Sequence, residues 1–505
     1  MKDNWHRCSP VSVIYHLIST IKTAINMWPA LAGIVAVERS RELLLSYGAV
    51  SLIAIIITVS FIDYFFFRYR YNDNEIQIRK GLFNRKRLTL SLDRIQEINL
   101  EQSLYFRPFS LWSVELESAG SNDKPIAIPG ISWTIANEIK HLQLEQHKLV
   151  ETATPSAPST DTQVNETSNE HTQVKSNTRL RIELTYADLV RAGLMHNGLI
   201  YPLVIIGPLL NQNKNAWNQI VGVIQNFGLT DWALNVSQNH STSITILLSI
   251  AAITTAVGFV YAISVLVAIT RFWQYRMTVV ADRFQYKTGL FSLQQRGFRQ
   301  HKLQNIVLKQ GLVAMVLQRY TVKIVQTNEA ATQAMKNSGF VIPVATLEEV
   351  VEIKNILGIE SYSWKRAQIT KPIFRSLILC TLTLLVIGSI SLVNEKVHLY
   401  YAAPTVLIFA SSFFWRWYRE GYAFTENWLA IKSGFIGNKV SYTPYSKVQK
   451  VDLMANPLTN ISDAGNISIW NGANLQKIYF VNLADLKQER NHIIHKVANF
   501  RGRWI

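Results

Sequence analysis

An internal repeat with a fixed spacing is the feature that most constrains the fold of this 505-residue chain. Each of the three copies begins with a Gly followed by two apolar residues, at Gly81-Leu82-Phe83, Gly289-Leu290-Phe291 and Gly434-Phe435-Ile436. In each copy a Gln follows the Gly by 15 residues, at Gln96, Gln304 and Gln449. A cluster of aromatic residues and Arg precedes each copy and itself follows long apolar segments. Repetition on this scale sets the architecture. It predicts one unit used three times, a membrane hairpin followed by a small β-rich domain.

The apolar segments predict membrane-spanning helices. A hydrocarbon core of about 30 Å is crossed by about 20 helical residues. Runs of that kind lie near 43–67, 244–270, 376–393 and 397–415. Two weaker runs lie at 11–37, which contains His16 and Lys22, and at 193–210, which contains Pro202 and Pro208. We therefore predict an α+β polytopic membrane protein with about six transmembrane helices in three hairpins.

Alternating apolar residues after each hairpin predict short strands, and each copy ends in an amphipathic pattern typical of a helix. The predicted helices lie near 133–147, 347–357 and 483–498, with a Thr346/Glu349 capping box on the second and Asn482 as N-cap of the third. The predicted domains are hairpin 1 at 11–67, β-rich domain 1 at 68–150, a disordered linker at 151–178, an amphipathic lead-in and hairpin 2 at 179–270, domain 2 at 271–358, hairpin 3 at 365–415 and domain 3 at 416–500.

The net charge of +17 is concentrated in the three domains. Lys and Arg outnumber Asp and Glu by 12 to 10 in 68–150, 12 to 5 in 271–358 and 12 to 6 in 416–505, whereas 211–241 carries only Lys214 and Asp231. By the positive-inside rule, the domains and both termini face the cytoplasm, so the chain is predicted in the inner membrane. The excess charge is explained either by topology and solubility or by attraction to anionic lipid headgroups. Nucleic acid is not an expected partner, because the basic residues are spread through β-rich repeats.

Five basic residues of the first domain form the candidate binding site: Arg79, Lys80, Arg85, Lys86 and Arg87. They flank a predicted hairpin turn at Gly81–Asn84, close to a membrane approached through Arg68 and Arg70. Such residues near an anionic surface contribute about 1 kcal/mol each. The site is therefore predicted to contact lipid headgroups or a partner protein. The alternative is that these are ordinary solubility charges on a hairpin.

The repeated Gly residues predict turns with positive φ. The repeated Gln residues predict side chains that close backbone hydrogen bonds at a strand bend, with direct contact to a ligand as the alternative. No nucleotide-binding, metalloprotease or nucleophile-elbow motif occurs, the histidines are scattered, and Cys8 and Cys380 suggest neither a disulfide nor a metal site. We therefore predict no catalytic residues, no cofactor and no metal.

The repeat resembles the bacterial pleckstrin-homology (PH) family of membrane-flanked domains, in particular its YdbT-like multi-copy membrane proteins. The resemblance is carried by Gly-Leu-Phe at 81–83, Leu-Asp-Arg-Ile-Gln-Glu-Ile at 92–98, His-Lys-Leu-Gln-Asn-Ile at 301–306 and Tyr-Ser-Lys-Val-Gln-Lys-Val at 445–451. It implies that each domain has two packed antiparallel sheets capped by a C-terminal helix. It implies neither an enzymatic activity nor a defined ligand.

The predicted function is that of a non-enzymatic inner-membrane scaffold or binding protein, with envelope stress or resistance as the candidate process. Its expected partners are membrane lipids and either a membrane protein or further copies of itself. A transport or export component regulated by its PH-like domains is the alternative. Transporters place ionisable residues at mid-membrane depth, and 244–270 has none. A membrane enzyme comes third.

Overall fold

A computed structural model of the chain describes residues 5–26, 49–82, 85–118, 126–152, 178–195, 242–326, 340–393, 402–472 and 475–500. The predicted linker at 151–178 and the weaker span at 193–210 lie mostly outside these residues. Within them, the order of helices and strands repeats three times. Each repeat is described in turn.

In the first repeat, helices α1 (Ser12–Asn26) and α2 (Ala49–Phe66) pack against each other. Six strands follow: β1 (Arg68–Tyr71), β2 (Glu75–Lys80), β3 (Lys86–Ser91), β4 (Ile95–Gln102), β5 (Leu111–Ser118) and β6 (Ile126–Ser132). A short 3-10 helix, Leu104–Phe109, lies between β4 and β5, and α3 (Trp133–Thr152) ends the repeat. The core contains the alternating residues Ile76 and Ile78 together with Ile139 of α3. The alternation therefore predicted the buried face correctly.

The second repeat starts with strand β7 (Thr178–Glu183), followed by helices α4 (Tyr186–Met195) and α5 (Thr242–Phe272). Its strands are β8 (Arg276–Val280), β9 (Arg283–Thr288), β10 (Leu293–Arg299), β11 (Leu303–Gln310), β12 (Tyr320–Gln326) and β13 (Phe340–Ala345). Helix α6 (Leu312–Val316) follows β11, and α7 (Leu347–Ile356) ends the repeat. The predicted capping box of α7 is confirmed, because Thr346 Oγ1 accepts from the Glu349 N–H and Glu349 Oε2 accepts from the Thr346 N–H.

The third repeat has helices α8 (Thr370–Val393) and α9 (Ala402–Arg419), which pack together. Its strands are β14 (Gly421–Phe424), β15 (Trp428–Ser433), β16 (Asn438–Pro444), β17 (Lys450–Met454), β18 (Ala464–Trp470) and β19 (Leu475–Asn482). Helix α10 (Pro457–Asn460) follows β17, and α11 (Leu483–Ala498) ends the repeat. Asn482 caps α11 as predicted, since its Oδ1 accepts from the Ala484 N–H.

Two of the described helical segments, Ile246–Phe272 and Thr370–Ile390, are long and apolar enough to cross a membrane. They coincide with the runs predicted at 244–270 and 376–393. Ile53–Phe66 is a shorter apolar helix within the run predicted at 43–67. The full layout of six spans remains a prediction.

The strands form four antiparallel sheets, and two of these sheets cross the boundary between repeats. The seven-stranded sheet has the order β6-β5-β4-β10-β9-β8-β7, and the six-stranded sheet has the order β13-β12-β11-β16-β15-β14. The fourth strand of one repeat thus pairs with the third strand of the next, through β4–β10 and β11–β16. Sequence alone predicted separate domains. Pairing of these edges gives hydrogen-bond partners to backbone N–H and C=O groups that would otherwise lack them. It also joins the repeats into a continuous array.

The amphipathic lead-in predicted at the start of 179–270 consists of two elements, a strand and a helix. Strand β7 pairs with β8, and α4 buries Leu189, Ala192 and Gly193. The Oγ of Ser264 in α5 donates to the Gly193 carbonyl at 2.8 Å, and a Cβ on Gly193 would lie 2.4 Å from the Val265 Cα. The segment is therefore part of the folded repeat. The other repeats have shorter counterparts, in which His6 bridges to Tyr69 and Lys365 bridges to Tyr422.

The repeated Gly and Gln residues mark the two turns of the unit. Gly81, Gly289 and Gly434 all have positive φ, as predicted. The strand register shifts at Gln96 and at Gln304, which places a bend at each of these residues. Gln449 directly precedes β17. The repeated Gly therefore marks a hairpin tip, and the repeated Gln marks the start of the fourth strand.

Candidate membrane-facing surface

The hairpin tips that carry the repeated Gly lie at the ends of the apolar helices. In the second repeat, the Gly289 N–H donates to the Trp273 carbonyl and the Leu290 N–H donates to the Thr270 carbonyl, each at 3.0 Å. In the third repeat, the indole Nε1 of Trp415 donates to the Phe435 carbonyl at 2.8 Å. These bonds satisfy carbonyl groups at a helix end and indole donors beside it, and they fix each tip against its helix.

The first repeat has the same geometry by strand register. Helix α2 ends at Phe66, and Arg68 of β1 lies opposite Arg79 of β2. The β2–β3 hairpin therefore continues past the start of β1, alongside the end of the helix. All three tips lie on the side of the array from which the apolar helices emerge.

Apolar side chains at these tips are exposed. Phe291 is 50% exposed, and Phe435 and Ile436 are each 49% exposed. Short helices beside the tips add Leu104 and Phe109 in one place and Leu312 and Val316 in the other, all of them exposed. Their proximity is direct, because Arg107 donates to the Leu290 carbonyl and Gln310 pairs with Asn438. The array therefore has an apolar rim next to the ends of its apolar helices.

The first repeat adds a row of positive charge. Arg68, Arg79 and Arg87 lie directly opposite one another on β1, β2 and β3. Residues opposite each other on neighbouring strands project to the same face, with Cβ atoms about 4.5–5.5 Å apart. The other face carries the buried Tyr69 and Ile78. We call Arg68, Arg79 and Arg87 the basic row.

The indole of Trp5 covers part of the basic row. The Arg79 Cζ lies 3.8 Å from the centroid of the Trp5 ring, and the Arg70 Cζ lies 5.5 Å from it. A guanidinium held over an indole face is attracted by the ring quadrupole. Trp5 therefore fixes the Arg79 side chain in place before any ligand arrives.

The part of the chain that the structure describes contains no ion-pair partner for the basic row. Among the described residues, Arg68, Arg79 and Arg87 form no ion pair, and the buried Nε of Arg79 has no acceptor. Desolvation, followed by the charges of Arg87, Arg70 and Arg68, lowers the pKa of Arg79. Like charges placed directly opposite each other destabilise a sheet. An anion would relieve this repulsion, and guanidinium groups bind phosphate oxygens in a bidentate manner.

The structure divides the five predicted site residues into two groups. Arg79 and Arg87 belong to the basic row. Lys80 and Lys86 lie opposite each other, one position further along the two strands. They are therefore on the face of the sheet that carries the core residues, but both are exposed because they lie at the end of the hairpin. Arg85 directly precedes β3, in the turn that connects β2 to β3, and is exposed. The five residues are therefore close in sequence but do not share one face.

Sequence reasoning missed Trp5 and assigned Arg68 only a supporting role. The alternation of Arg68 and Arg70 with buried Tyr residues was a signal for an outward basic face. Their pairing with Arg79 depended on the strand register, which the sequence does not specify. Trp5 lies more than sixty positions before Arg70 in the chain, and no local pattern connects them.

The basic row is specific to the first repeat. The equivalent residues in the second repeat are Arg276, Lys287 and Gln295, and Arg276 pairs with Glu183 at 2.5 Å. In the third repeat the equivalents are Gly421, Lys432 and Val440. Only the Trp contact recurs there, with the Lys432 Nζ lying 5.9 Å from the Trp364 ring centroid. An anion site is therefore best developed in the first repeat.

Other chemistry has little support in the part of the chain that the structure describes. No group of three or more His, Cys, Asp or Glu side chains is placed there to hold a metal ion. Cys8 and Cys380 are free thiols, and burial raises the pKa of Cys8 to about 12. A thiol that stays protonated is a weak nucleophile.

Three β-rich repeats, each attached to apolar helices and joined edge to edge, define a membrane protein built from PH-like units. The chain belongs to the bacterial PH domain family, which matches residues 29–147, 231–360 and 372–497. Part of it is also similar to the UPF0699 transmembrane protein YdbT of Bacillus subtilis (strain 168), with 33% identity over 138 residues. That match covers 26% of this chain and 28% of the relative. No solved structure matches the chain.

Proposed function

We propose that this protein is a non-enzymatic scaffold of the bacterial inner membrane, whose cytoplasmic PH-like domains bind anionic lipid headgroups. The basic row carries this proposal, because three guanidinium groups, none of them ion-paired to a described residue, lie beside the end of the apolar helix α2. The similarity to a transmembrane protein supports the membrane location. The concentration of Lys and Arg in the three domains supports the cytoplasmic orientation.

The energetics favour contact with a lipid surface. Three basic residues close to an anionic surface contribute about 3 kcal/mol, at about 1 kcal/mol for each. That is more than a hundredfold in an equilibrium constant. The attraction falls within a Debye length of about 10 Å at 0.1 M salt, so only groups held near the surface contribute. The position of the hairpin beside the end of the apolar helix α2 supports such a location. The apolar rim adds burial in the interfacial region.

Hydrogen exchange of the full chain in lipid nanodiscs tests the proposal. We expect amides in residues 79–88 to be better protected in discs containing phosphatidylglycerol than in discs of phosphatidylcholine. High salt should remove the difference. An Arg79→Glu/Arg87→Glu variant should lose the protection at low salt as well.

A matched control reverses two exposed basic residues away from the hairpin, Arg94→Glu and Lys487→Glu. The net charge changes by the same amount, so this variant should keep the lipid-dependent protection. Equal loss in both variants would show that net charge alone matters. Unchanged protection in the Arg79/Arg87 variant would overturn the headgroup site and favour a protein partner for this surface.

A further inference from the structure

We propose that strands β3 and β17 pair between two copies of this chain, so that chains join head to tail through the same contact that joins the repeats within one chain. Inside the chain this contact occurs twice, as β4–β10 and β11–β16. We call each pairing of a fourth strand with a third strand of another repeat a joint. The third strand of the first repeat, β3, is an edge of its sheet, and so is the fourth strand of the third repeat, β17. The two ends of the array are therefore complementary halves of one joint.

The burial of equivalent residues supports this pairing. Leu100 and Leu308 lie four residues after the repeated Gln on strands that take part in a joint, and both are buried. Leu453 has the same position in the third repeat and is partly exposed. On the third strands, Phe298 and Thr443 are buried in the joined repeats, whereas the equivalent Leu90 of β3 is partly exposed. At both free edges, a position that is buried in the joined repeats is thus partly exposed.

The existing joint also gives the register. In the β11–β16 joint, Lys309 lies opposite Lys439 and Leu308 lies opposite Val440. Counted from the repeated Gln and Gly, the equivalents are Met454 opposite Lys86 and Leu453 opposite Arg87. The Lys–Lys pair of the internal joint becomes a Met–Lys pair, so no like charges meet at that position. The Arg87 side chain stays in the basic row, because edge pairing uses the backbone.

Open strand edges are templates for pairing with another chain. The surfaces of β3 and β17 differ, so the contact is heterologous, and it builds either a ring or an open row of chains in the membrane plane. This inference goes beyond lipid binding and does not depend on it.

Disulfide trapping in membranes tests the proposed register. In a background with Cys8→Ala and Cys380→Ala, chains carrying Met454→Cys and differently tagged chains carrying Lys86→Cys are co-expressed and then oxidised. Opposite residues on antiparallel strands have Cα atoms about 4.5–5.5 Å apart, within the range for a disulfide. We expect an adduct that contains both tags. A second pair, Leu453→Cys with Arg87→Cys, should give the same product if the first pair is poorly produced.

An off-register pair provides the control. Met454→Cys with Ser91→Cys places the thiols five residues apart, about 17 Å along the strand, and should give no adduct. Absence of the mixed adduct from both matched pairs, with the chains present at normal levels, would overturn the inference. Equal yield from the off-register pair would overturn it as well. When both Cys residues are placed in one chain, a cross-link without an increase in mass would show closure within the chain instead. Because lipid-dependent hydrogen exchange is read separately, failure here leaves the headgroup proposal standing.

Discussion

The guanidinium of Arg283 in the second repeat donates to Oε1 of Glu97 in the first repeat at 2.5 Å. The side chain of Glu97 is 3% exposed and that of Arg283 is 15% exposed, so this ion pair is buried at the boundary between repeats. Arg296 and Glu115 form a second pair across the same boundary, at 3.5 Å. Charge complementarity therefore reinforces strand pairing at the first joint.

Loss of charge at Glu97 should be more harmful than loss of charge at Arg283. Lys302 and Lys140 also lie in the field of Glu97, so Glu97→Gln weakens the electrostatic stabilisation of three cations, although Lys302 keeps Glu117 nearby. Removing one partner of a buried ion pair costs about 3–5 kcal/mol. Arg283→Gln leaves Glu97 close to these lysines, and we expect a smaller loss. The thermal unfolding midpoints of the two purified variants measure the difference.

An exposed ion pair serves as the control for this prediction. Glu183 pairs with both Arg181 and Arg276, and the three side chains are each about half exposed. Exposed pairs contribute about 0–1 kcal/mol, so Glu183→Gln should shift the midpoint little. Equal shifts for Glu97→Gln and Arg283→Gln would contradict the proposed role of the lysines.

Gly289→Ala should disrupt the second hairpin tip. Gly289 has a φ of 117°, and a Cβ there would lie 1.9 Å from the Ser292 carbonyl oxygen. Residues forced into sparsely populated backbone regions cost about 1–3 kcal/mol. We expect a lower unfolding midpoint and faster hydrogen exchange at residues 288–293. Gly258→Ala is the matched control, because nothing lies within 4 Å of its added Cβ and Ala favours a helix. Similar effects of the two substitutions would rule out a special role for the turn.

Lys447 should make stability depend on pH in the alkaline range. Burial lowers the pKa of Lys447 from 10.5 to about 8. The folded chain therefore binds fewer protons than the unfolded chain between pH 8 and 10.5, so this group makes stability rise with pH across that window. As the pH is raised from neutral to 10.5, the unfolding midpoint of the wild type should increase relative to that of Lys447→Met. Lys487→Met, at an exposed position, should show no such change relative to the wild type. A constant difference between wild type and Lys447→Met would contradict the low pKa.

Reporter fusions should place the three domains on one side of the membrane. The distribution of Lys and Arg predicts cytoplasmic signals from fusions within 151–178, near 360 and at the C-terminus. A fusion near 225 should report the opposite side. Alkaline phosphatase and green fluorescent protein fusions distinguish the two locations. A periplasmic signal from any of the first three sites is incompatible with six spans arranged as three hairpins.

Local features of the fold were predictable because their causes are local. The Thr346 capping box, the positive φ at Gly289 and the alternating core of β2 follow from a few neighbouring residues. The joints between repeats were not predictable in this way. Pairing of β4 with β10 depends on which edges meet across nearly 200 residues, and no short pattern specifies that choice.

The candidate site was predictable only in part, for the same reason. Arg79 and Arg87 stood out as basic residues beside a turn, and the structure retains both in the basic row. Whether neighbouring charges share a face is decided by strand parity, which placed Lys80 and Lys86 elsewhere. The contact with Trp5 requires the N-terminal segment to run back along β1 through the His6–Tyr69 bridge.

The hydrogen bonds from Gly289 and Leu290 to the Trp273 and Thr270 carbonyls, at the end of α5, have a mechanical consequence. They hold the β-domain rigidly against the end of the apolar helix, where a loop alone would leave a flexible connection. Since the same sheet continues into the preceding repeat, a change in the tilt of α5 has to move strands of two repeats together. A bilayer that thins or bends around one helix would thus strain the strand pairing between repeats. The repeats would then move together rather than independently.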